Sequence, residues 1–276
     1  FPISSIVTLE FIAIILRLFQ SLGEFNRVLS MSISTYVHLE NLLKIEENKE
    51  TIYSSNFQIE DSIKERKNAV EIKNVNFKYL NSDNLIFKDL NIEIKKNKHT
   101  IITGPNGVGK STFLGLVSGV FYPVEGEVNL FTNKVSYVSA YPMIIKGTLK
   151  ENILYGAENN KTSDIEIKNL ISKFELFKNN NNNLEIKVSN RTLSSGQMQK
   201  LSFIRALLSN PELLLLDEST ANLDKKTKKL IYKILKELNI TILNSTHASD
   251  DLEDFDFELS FSSIDGSTLI TESENK

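Results

Sequence analysis

The run Gly104-Pro105-Asn106-Gly107-Val108-Gly109-Lys110-Ser111-Thr112 concentrates residues that handle phosphate. Glycines tolerate the left-handed backbone that turns successive N–H groups toward one anion. Lys110 adds a point charge that reaches β- and γ-phosphates, and the Ser111 hydroxyl is an oxygen donor of the kind Mg²⁺ takes. The pattern has meaning only between a strand and a helix. The run Thr100–Thr103 in front and the helical stretch Lys110–Val120 behind meet that condition. They predict a helix N-terminus aimed at the phosphates.

A second cluster lies downstream. Leu213-Leu214-Leu215-Leu216-Asp217-Glu218 is an apolar run that ends in two acids. A buried parallel strand shows its polar residues at its C-terminal end, the edge where α/β sheets bind ligands. Asp217 is expected to hold Mg²⁺, directly or through water, and Glu218 to orient or deprotonate an attacking water. Taken alone, the acids could equally cap a helix; the phosphate loop upstream gives them their chemical reading.

Leu193-Ser194-Ser195-Gly196-Gln197 precedes a helix that carries Arg205. Here the chain resembles the ATP-binding-cassette (ABC) family, whose signature is Leu-Ser-Gly-Gly-Gln. The resemblance runs from about Val70 to Leu259 in the family's motif order. It implies ATP and Mg²⁺ as cofactors, ATP hydrolysis, and a head-to-tail dimer with a second nucleotide-binding domain, taken as a homodimer. Ser194, with the amides of Ser195 and Gly196 and the neighbouring Gln197, would meet the γ-phosphate of the ATP held by the partner. Asp224, in Ala221-Asn222-Leu223-Asp224, matches the loop that communicates between the two sites, although Asp is also a common N-cap. His247 matches the switch histidine that contacts the γ-phosphate. Tyr79 matches the aromatic residue that stacks on adenine.

Four departures stand out. Ala140, in Val138-Ser139-Ala140, sits where the family has a glutamine that links Mg²⁺ and the attacking water to the membrane domain. Alanine has no polar side-chain atom, so Mg²⁺ coordination is expected to be completed by water, or hydrolysis to be slow. Ser195 replaces the second signature residue, a glycine, and still offers its amide. Asn97 replaces a glycine before the loop strand, and Asn tolerates the left-handed region better than most residues. The segment 186–192 matches the exporter-type segment before the signature poorly.

These side chains need a sheet and helices to hold them. From Val70 onward strands and helices alternate, which predicts an α/β fold. The resemblance specifies a phosphate-loop NTPase of the ABC type, a mixed sheet with flanking helices plus a helical subdomain. Strands are expected at 70–80, 90–94, 100–103, 128–130, 134–139, 213–216 and 240–244. Helices are expected at 110–120, 162–177, 196–208 and 225–238. The asparagine run 179–183 reads as a loop. The composition, 41% hydrophobic and 24% charged, is that of a globular protein, and a net charge of -3 argues against a nucleic-acid partner. With no cysteine there is no disulfide framework, thiolate metal site or cysteine nucleophile.

Residues 2 to about 46 read as one long helix, opened by Pro2. Ile3–Phe19 is mostly apolar, interrupted by Glu10 and Arg17, and slightly short of the ~20 residues that span a bilayer. Leu22, Phe25, Leu29, Ile33, Tyr36, Leu39 and Leu43 then recur at helical spacing. The expected organisation is a last membrane helix with its cytosolic extension over 1–46, a linker over 47–68, the nucleotide-binding domain over 69–262 and a tail over 263–276. The chain opens on Phe1 and reads as a fragment or processed product. An exporter-type transporter in the inner (plasma) membrane, its ATPase domain on the cytoplasmic side, is the reading that fits. The lipid bilayer and the remaining membrane helices would be its partners, and the transported substrate is not encoded in this stretch. Two alternatives stay open: a cassette that binds ATP with little turnover and acts structurally, and a soluble ABC ATPase. If Ala140 matters, Ala140→Gln is expected to change Mg²⁺ dependence or turnover. An unchanged Mg²⁺ titration and ATPase rate would show that the departure is without consequence.

Overall fold

The computed structural model describes residues 9–52, 56–60, 66–80, 82–156, 162–177, 183–221, 223–246, 254–264 and 267–275. The chain divides into two compact units, Phe1–Ser54 and Ser55–Lys276.

The first unit is α1 (Leu9–Ile52), 44 residues long, or roughly 66 Å at about 1.5 Å per residue. Its apolar side chains, among them Phe11, Leu22, Phe25, Leu29, Ile33, Tyr36 and Leu39, are exposed. Among the described residues no helix is long and apolar enough to cross a membrane. Phe1–Thr8, which carry the start of the apolar run, lie outside the described residues, as does Pro2. The helix extends past residue 46, so the start of the stretch read as a linker is helical.

The second unit is built on two sheets. In the first, β1 (Phe57–Ile59), β2 (Asn68–Phe77), β3 (Phe87–Lys95) and β5 (Glu125–Leu130) lie in the order β1-β5-β2-β3. β2 is antiparallel to both β3 and β5, and β1 adds in parallel to β5. β1 had no counterpart in the sequence reading, because three residues carry too little alternation to be seen. In β3 inward Phe87, Leu90, Ile92 and Ile94 are separated by exposed polar residues, the pattern of a sheet with one face on a core.

The larger sheet contains β4 (His99–Thr103), β6 (Val135–Ser139), β9 (Leu213–Asp217), β10 (Thr241–Ser245), β11 (Phe257–Ile264) and β12 (Ser267–Glu274), in the order β12-β11-β4-β10-β9-β6. All neighbours are parallel except the β11–β12 pair. Its inner strands are covered on both faces, so Leu213–Leu216 are fully buried and form the continuous apolar run of a central parallel strand. The stretch 263–276, expected as a tail, holds the end of β11 and the whole of β12, which pair antiparallel. β12 is an edge strand and mostly exposed, so its polar residues do not betray it; polar edges also discourage further strand addition.

Helix α2 (Lys110–Val117) lies between the two sheets, and its Phe113, Leu114, Leu116 and Val117 join residues of both in one core. A second core covers the opposite face of the larger sheet. It packs α3 (Leu149–Ile153), α4 (Asp164–Lys173), α5 (Ser195–Leu208) and α6 (Lys225–Lys236). Short strands β7 (Gly147–Thr148) and β8 (Lys187–Val188) pair beside α3. Capping boxes start α3 at Thr148/Glu151 and α4 at Ser163/Glu166, each satisfying two orphan N–H groups. Asn97 adopts φ +56°, the left-handed conformation its side chain was expected to tolerate.

Gly126, in β5, has φ +84°, and a Cβ there would collide with the backbone carbonyl of Asn74. Neither the backbone nor the neighbouring strand can give way cheaply. Gly126→Ala is expected to destabilise the second unit by about 1–3 kcal/mol, read as a lower urea midpoint at unchanged slope.

Candidate active site

Strands β4, β10 and β9 are parallel and adjacent, so their C-terminal ends meet at one edge. Ser245 pairs with Ile102 on one side and with Asp217 on the other. The loop that leaves β4 has Gly104, Gly107 and Gly109 at φ +136°, +77° and +107°. At Gly104 a Cβ would collide with the backbone oxygen of Phe261 on β11. Glycine there lets the loop lie directly on the sheet.

Lys110 opens α2 and is buried. Its Nζ donates to the carbonyls of Gly104 (2.9 Å) and Pro105 (3.0 Å), which closes the loop around its own lysine. Burial pulls its pKa below the ordinary lysine value, and the carboxylates of Glu218 and Asp217 oppose that shift.

Asp217 ends β9 beside α2. Ser111 Oγ donates to its Oδ1 at 2.9 Å, and the Tyr137 hydroxyl of β6 donates to its Oδ2 at 2.8 Å. Burial, and then the bond to Asp217, push the Tyr137 pKa above the ordinary phenol value. The carboxylate and hydroxyl oxygens of Asp217 and Ser111 suit Mg²⁺, a hard cation bound through one or two protein oxygens, phosphates and waters. Among the described residues there is no cluster of three or more His, Cys, Asp or Glu that would form a closed metal cage. Glu218 leaves the strand at φ +49° and donates its N–H to Ser245 O at 3.1 Å. A left-handed non-glycine residue is a strained position held by its surroundings, and here it turns the chain out of the strand right after Asp217.

Tyr79 follows β2. Its hydroxyl lies 2.7 Å from Thr112 Oγ1 on α2, and its ring stands edge-on to Phe77 (5.3 Å) and Phe121 (5.5 Å). The exposed ring is therefore fixed to the first turns of the phosphate-loop helix.

Ser194 is the N-cap of α5. Its side chain accepts from Gln197 N–H, and Gln197 Oε1 accepts from Ser194 N–H. Asp224 is the N-cap of α6; it accepts from both the hydroxyl and the N–H of Thr227, which hold its carboxyl below the usual range. The capping role considered for Asp224 is thus present, and Ser194 caps its helix as well. Ser194, Ser195, Gly196, Gln197 and Asp224, with Lys200, line a cleft of about 710 Å³ whose walls include none of Gly104–Thr112. The chain therefore carries two groupings: Lys110, Ser111, Asp217 and Glu218 at the sheet edge, and the signature with Asp224 elsewhere.

Ala140 follows β6, where Gln199 Nε2 of α5 donates to Ser139 O at 3.0 Å. The segment beyond it is pinned by buried Asn152, bonded to Ile145 and Thr148, and by Arg205, which donates to Asn152 O and Met143 O. His247 lies outside the described residues. Just before it, Thr246 N–H donates to Ile102 O and anchors that end of β10 beside the loop strand. Tyr137 escaped the sequence reading. Its only signal is that it lies three residues before the departure at Ala140, and the adjacency of β6 and β9 is a tertiary fact.

The description of the ABC transporter family matches residues 87–221. An ATP-dependent permease of Candida albicans is 32% identical over 68% of this chain and 30% of its own length. The nickel import system ATP-binding protein NikE of Staphylococcus aureus is 36% identical over 63% of this chain and 76% of its own. The structure of a bacterial Atm1-family ABC exporter with ATP bound superposes with a TM-score of 0.66 at 23% identity, over 76% of this chain and 39% of that one. The chain thus spans less than a third of the Candida permease. With a phosphate loop, an acidic strand end and a capped signature helix in the expected order on the expected fold, this chain belongs to the ABC transporter family and carries its ATP-binding ATPase domain.

Proposed function

We propose that this chain binds Mg²⁺·ATP at the sheet edge and hydrolyses it as the motor of an exporter-type transporter. The observation that carries the reading is the pairing of Ser111 Oγ with Asp217 Oδ1 beside buried Lys110. A hydroxyl, a carboxylate and an ammonium, brought together from elements far apart in sequence, supply two oxygen ligands for Mg²⁺ and one cation for phosphate. When bound, Mg²⁺ neutralises charge on the β- and γ-phosphates. Loop amides from Gly104 to Gly109 and the α2 N-terminus bind the phosphates; Lys110 exchanges its carbonyl partners for phosphate oxygens. Glu218 orients or deprotonates the attacking water, and Tyr79 stacks on adenine. In a head-to-tail dimer, Ser194, Ser195, Gly196 and Gln197 complete the partner's site. That role uses a hydroxyl proton and exposed amides that the capping bonds leave available. Asp224 and His247 join the site as the family resemblance implies.

The division into a membrane helix with its extension (1–46), a linker (47–68), the nucleotide-binding domain (69–262) and a tail (263–276) belongs to this proposal. The exposed apolar side chains of α1 support a lipid or helix-bundle environment for the first segment. Likeness to an exporter structure and to a permease supports export, with the ATPase domain on the cytoplasmic side of the plasma membrane. The greater identity to a nickel import ATP-binding protein favours a second reading, a separate ATPase subunit. Retention in the membrane fraction after carbonate extraction of the full-length protein supports the first reading, and release supports the second.

Removing the Glu218 carboxylate with Glu218→Gln is expected to lower ATP turnover of the full-length protein in lipid by about 100-fold or more, with ATP affinity largely kept. Equal turnover in both proteins would remove Glu218 from the reaction. Lys110→Ala is expected to weaken Mg²⁺·ATP binding by roughly 10- to 100-fold, the loss of charge-assisted hydrogen bonds to phosphate, measured by equilibrium titration.

A further inference from the structure

Asp217 is held from two sides, by Ser111 at Oδ1 and by Tyr137 at Oδ2. We propose that Tyr137 is the positioning residue that orients the Mg²⁺-binding carboxylate, on the side of the site where Ala140 provides no polar atom. The inference rests on the reading of Asp217 as a Mg²⁺ ligand.

Three observations carry it. The first is placement. Tyr137 pairs with Leu215 across the parallel β6–β9 ladder, while Asp217 lies opposite Ser139. On a pleated sheet residues two apart share a face, so Tyr137, Leu215 and Asp217 face the same side, toward α2. A tyrosine is long enough to reach along the strand, and its hydroxyl ends 2.8 Å from Oδ2. A tyrosine serving only as packing has no need to end on a carboxylate, and this ring is 42% exposed.

The second is division of labour. Ser111 would serve as the other Mg²⁺ ligand through a lone pair of its hydroxyl oxygen, the group that faces Oδ1. Tyr137, which lies outside the proposed ligand set, donates to Oδ2 and so holds the carboxylate with Oδ1 turned toward Ser111. A ligating carboxylate is generally held in this way by an outer hydrogen bond.

The third is what stands nearby on the same strand. β6 leads into Ala140, whose side chain can neither donate nor accept, and the segment that follows is fixed to α5 through Gln199, Arg205 and Asn152. Tyr137 is the side chain through which β6 reaches Asp217.

The test is a Mg²⁺ titration of ATP binding to the full-length protein, beside ATP binding in EDTA, for the parent, Tyr137→Phe and Asp217→Asn. Tyr137→Phe keeps the ring and removes one oxygen. It is expected to raise the half-saturating Mg²⁺ about tenfold or more, while the EDTA affinity and the melting temperature without nucleotide stay at parental values. Asp217→Asn is expected to abolish the Mg²⁺ effect. Partial recovery when Ala140→Gln is added to Tyr137→Phe would support the exchange of roles between the two positions. An unchanged half-saturating Mg²⁺ in Tyr137→Phe, with the effect lost in Asp217→Asn, overturns the inference alone. Equal weakening with and without Mg²⁺ also overturns it, since Tyr137 would then act through general packing. A Mg²⁺ effect that survives Asp217→Asn overturns the reading of Asp217 and the inference with it.

Discussion

Three parallel strands that end together are the constraint on which the site depends. β4 delivers the phosphate loop, β9 delivers Asp217 and Glu218, and β10 lies between them and keeps both in register. A parallel sheet forces each of these strands to be buried on both faces, which is why Leu213–Leu216 carry no polar side chain until the strand ends. The polar groups are therefore pushed to one edge, and there they converge. A shift of β9 by one residue would turn Asp217 to the other face and separate it from Ser111.

Charge placement follows from that edge. Lys110 is buried next to two carboxylates, and in this structure its ammonium spends its donors on loop carbonyls. Burial disfavours its charged form and the carboxylates favour it. On the proposed function, an incoming phosphate would replace these neutral carbonyl acceptors with anionic ones. Glycine at Gly104 is required by the sheet as much as by the ligand, because the loop lies against the backbone of β11. The C-terminal hairpin is thus part of the site's foundation: Thr268 Oγ1 also donates to Val108 O inside the loop.

The signature segment shows how one short sequence serves local structure and chemistry together. Ser194 and Gln197 close a capping box, a local arrangement that starts α5 whatever else happens. The same cap leaves the amides of Ser195 and Gly196 at a helix N-terminus, where anions are stabilised. Asp224 repeats the economy at α6. Both residues line one cleft, whose walls hold none of the phosphate-loop residues 104–112.

Much of the site was readable because its motifs are local. The glycines, Lys110 and Ser111 fall within one loop, and the run Leu213–Glu218 signals a buried strand and its polar end by pattern alone. Helix α5 and the central strands were expected close to where they lie for the same reason. Among the misses, β1, α3 and β12 are short, exposed or polar, so they have too few buried residues to impress a period on the sequence, whereas β11 was missed although Leu259 and Phe261 are buried and alternate with polar residues. Residue chemistry by itself pointed to a chain that handles phosphate, since backbone freedom, charge and oxygen donors are properties of residue types at fixed spacing, and the family resemblance of the motifs added ATP. Only the tertiary structure decided that β6 lies beside β9 and that Tyr137 therefore meets Asp217, because contacts between distant segments are set by how strands order themselves in a sheet.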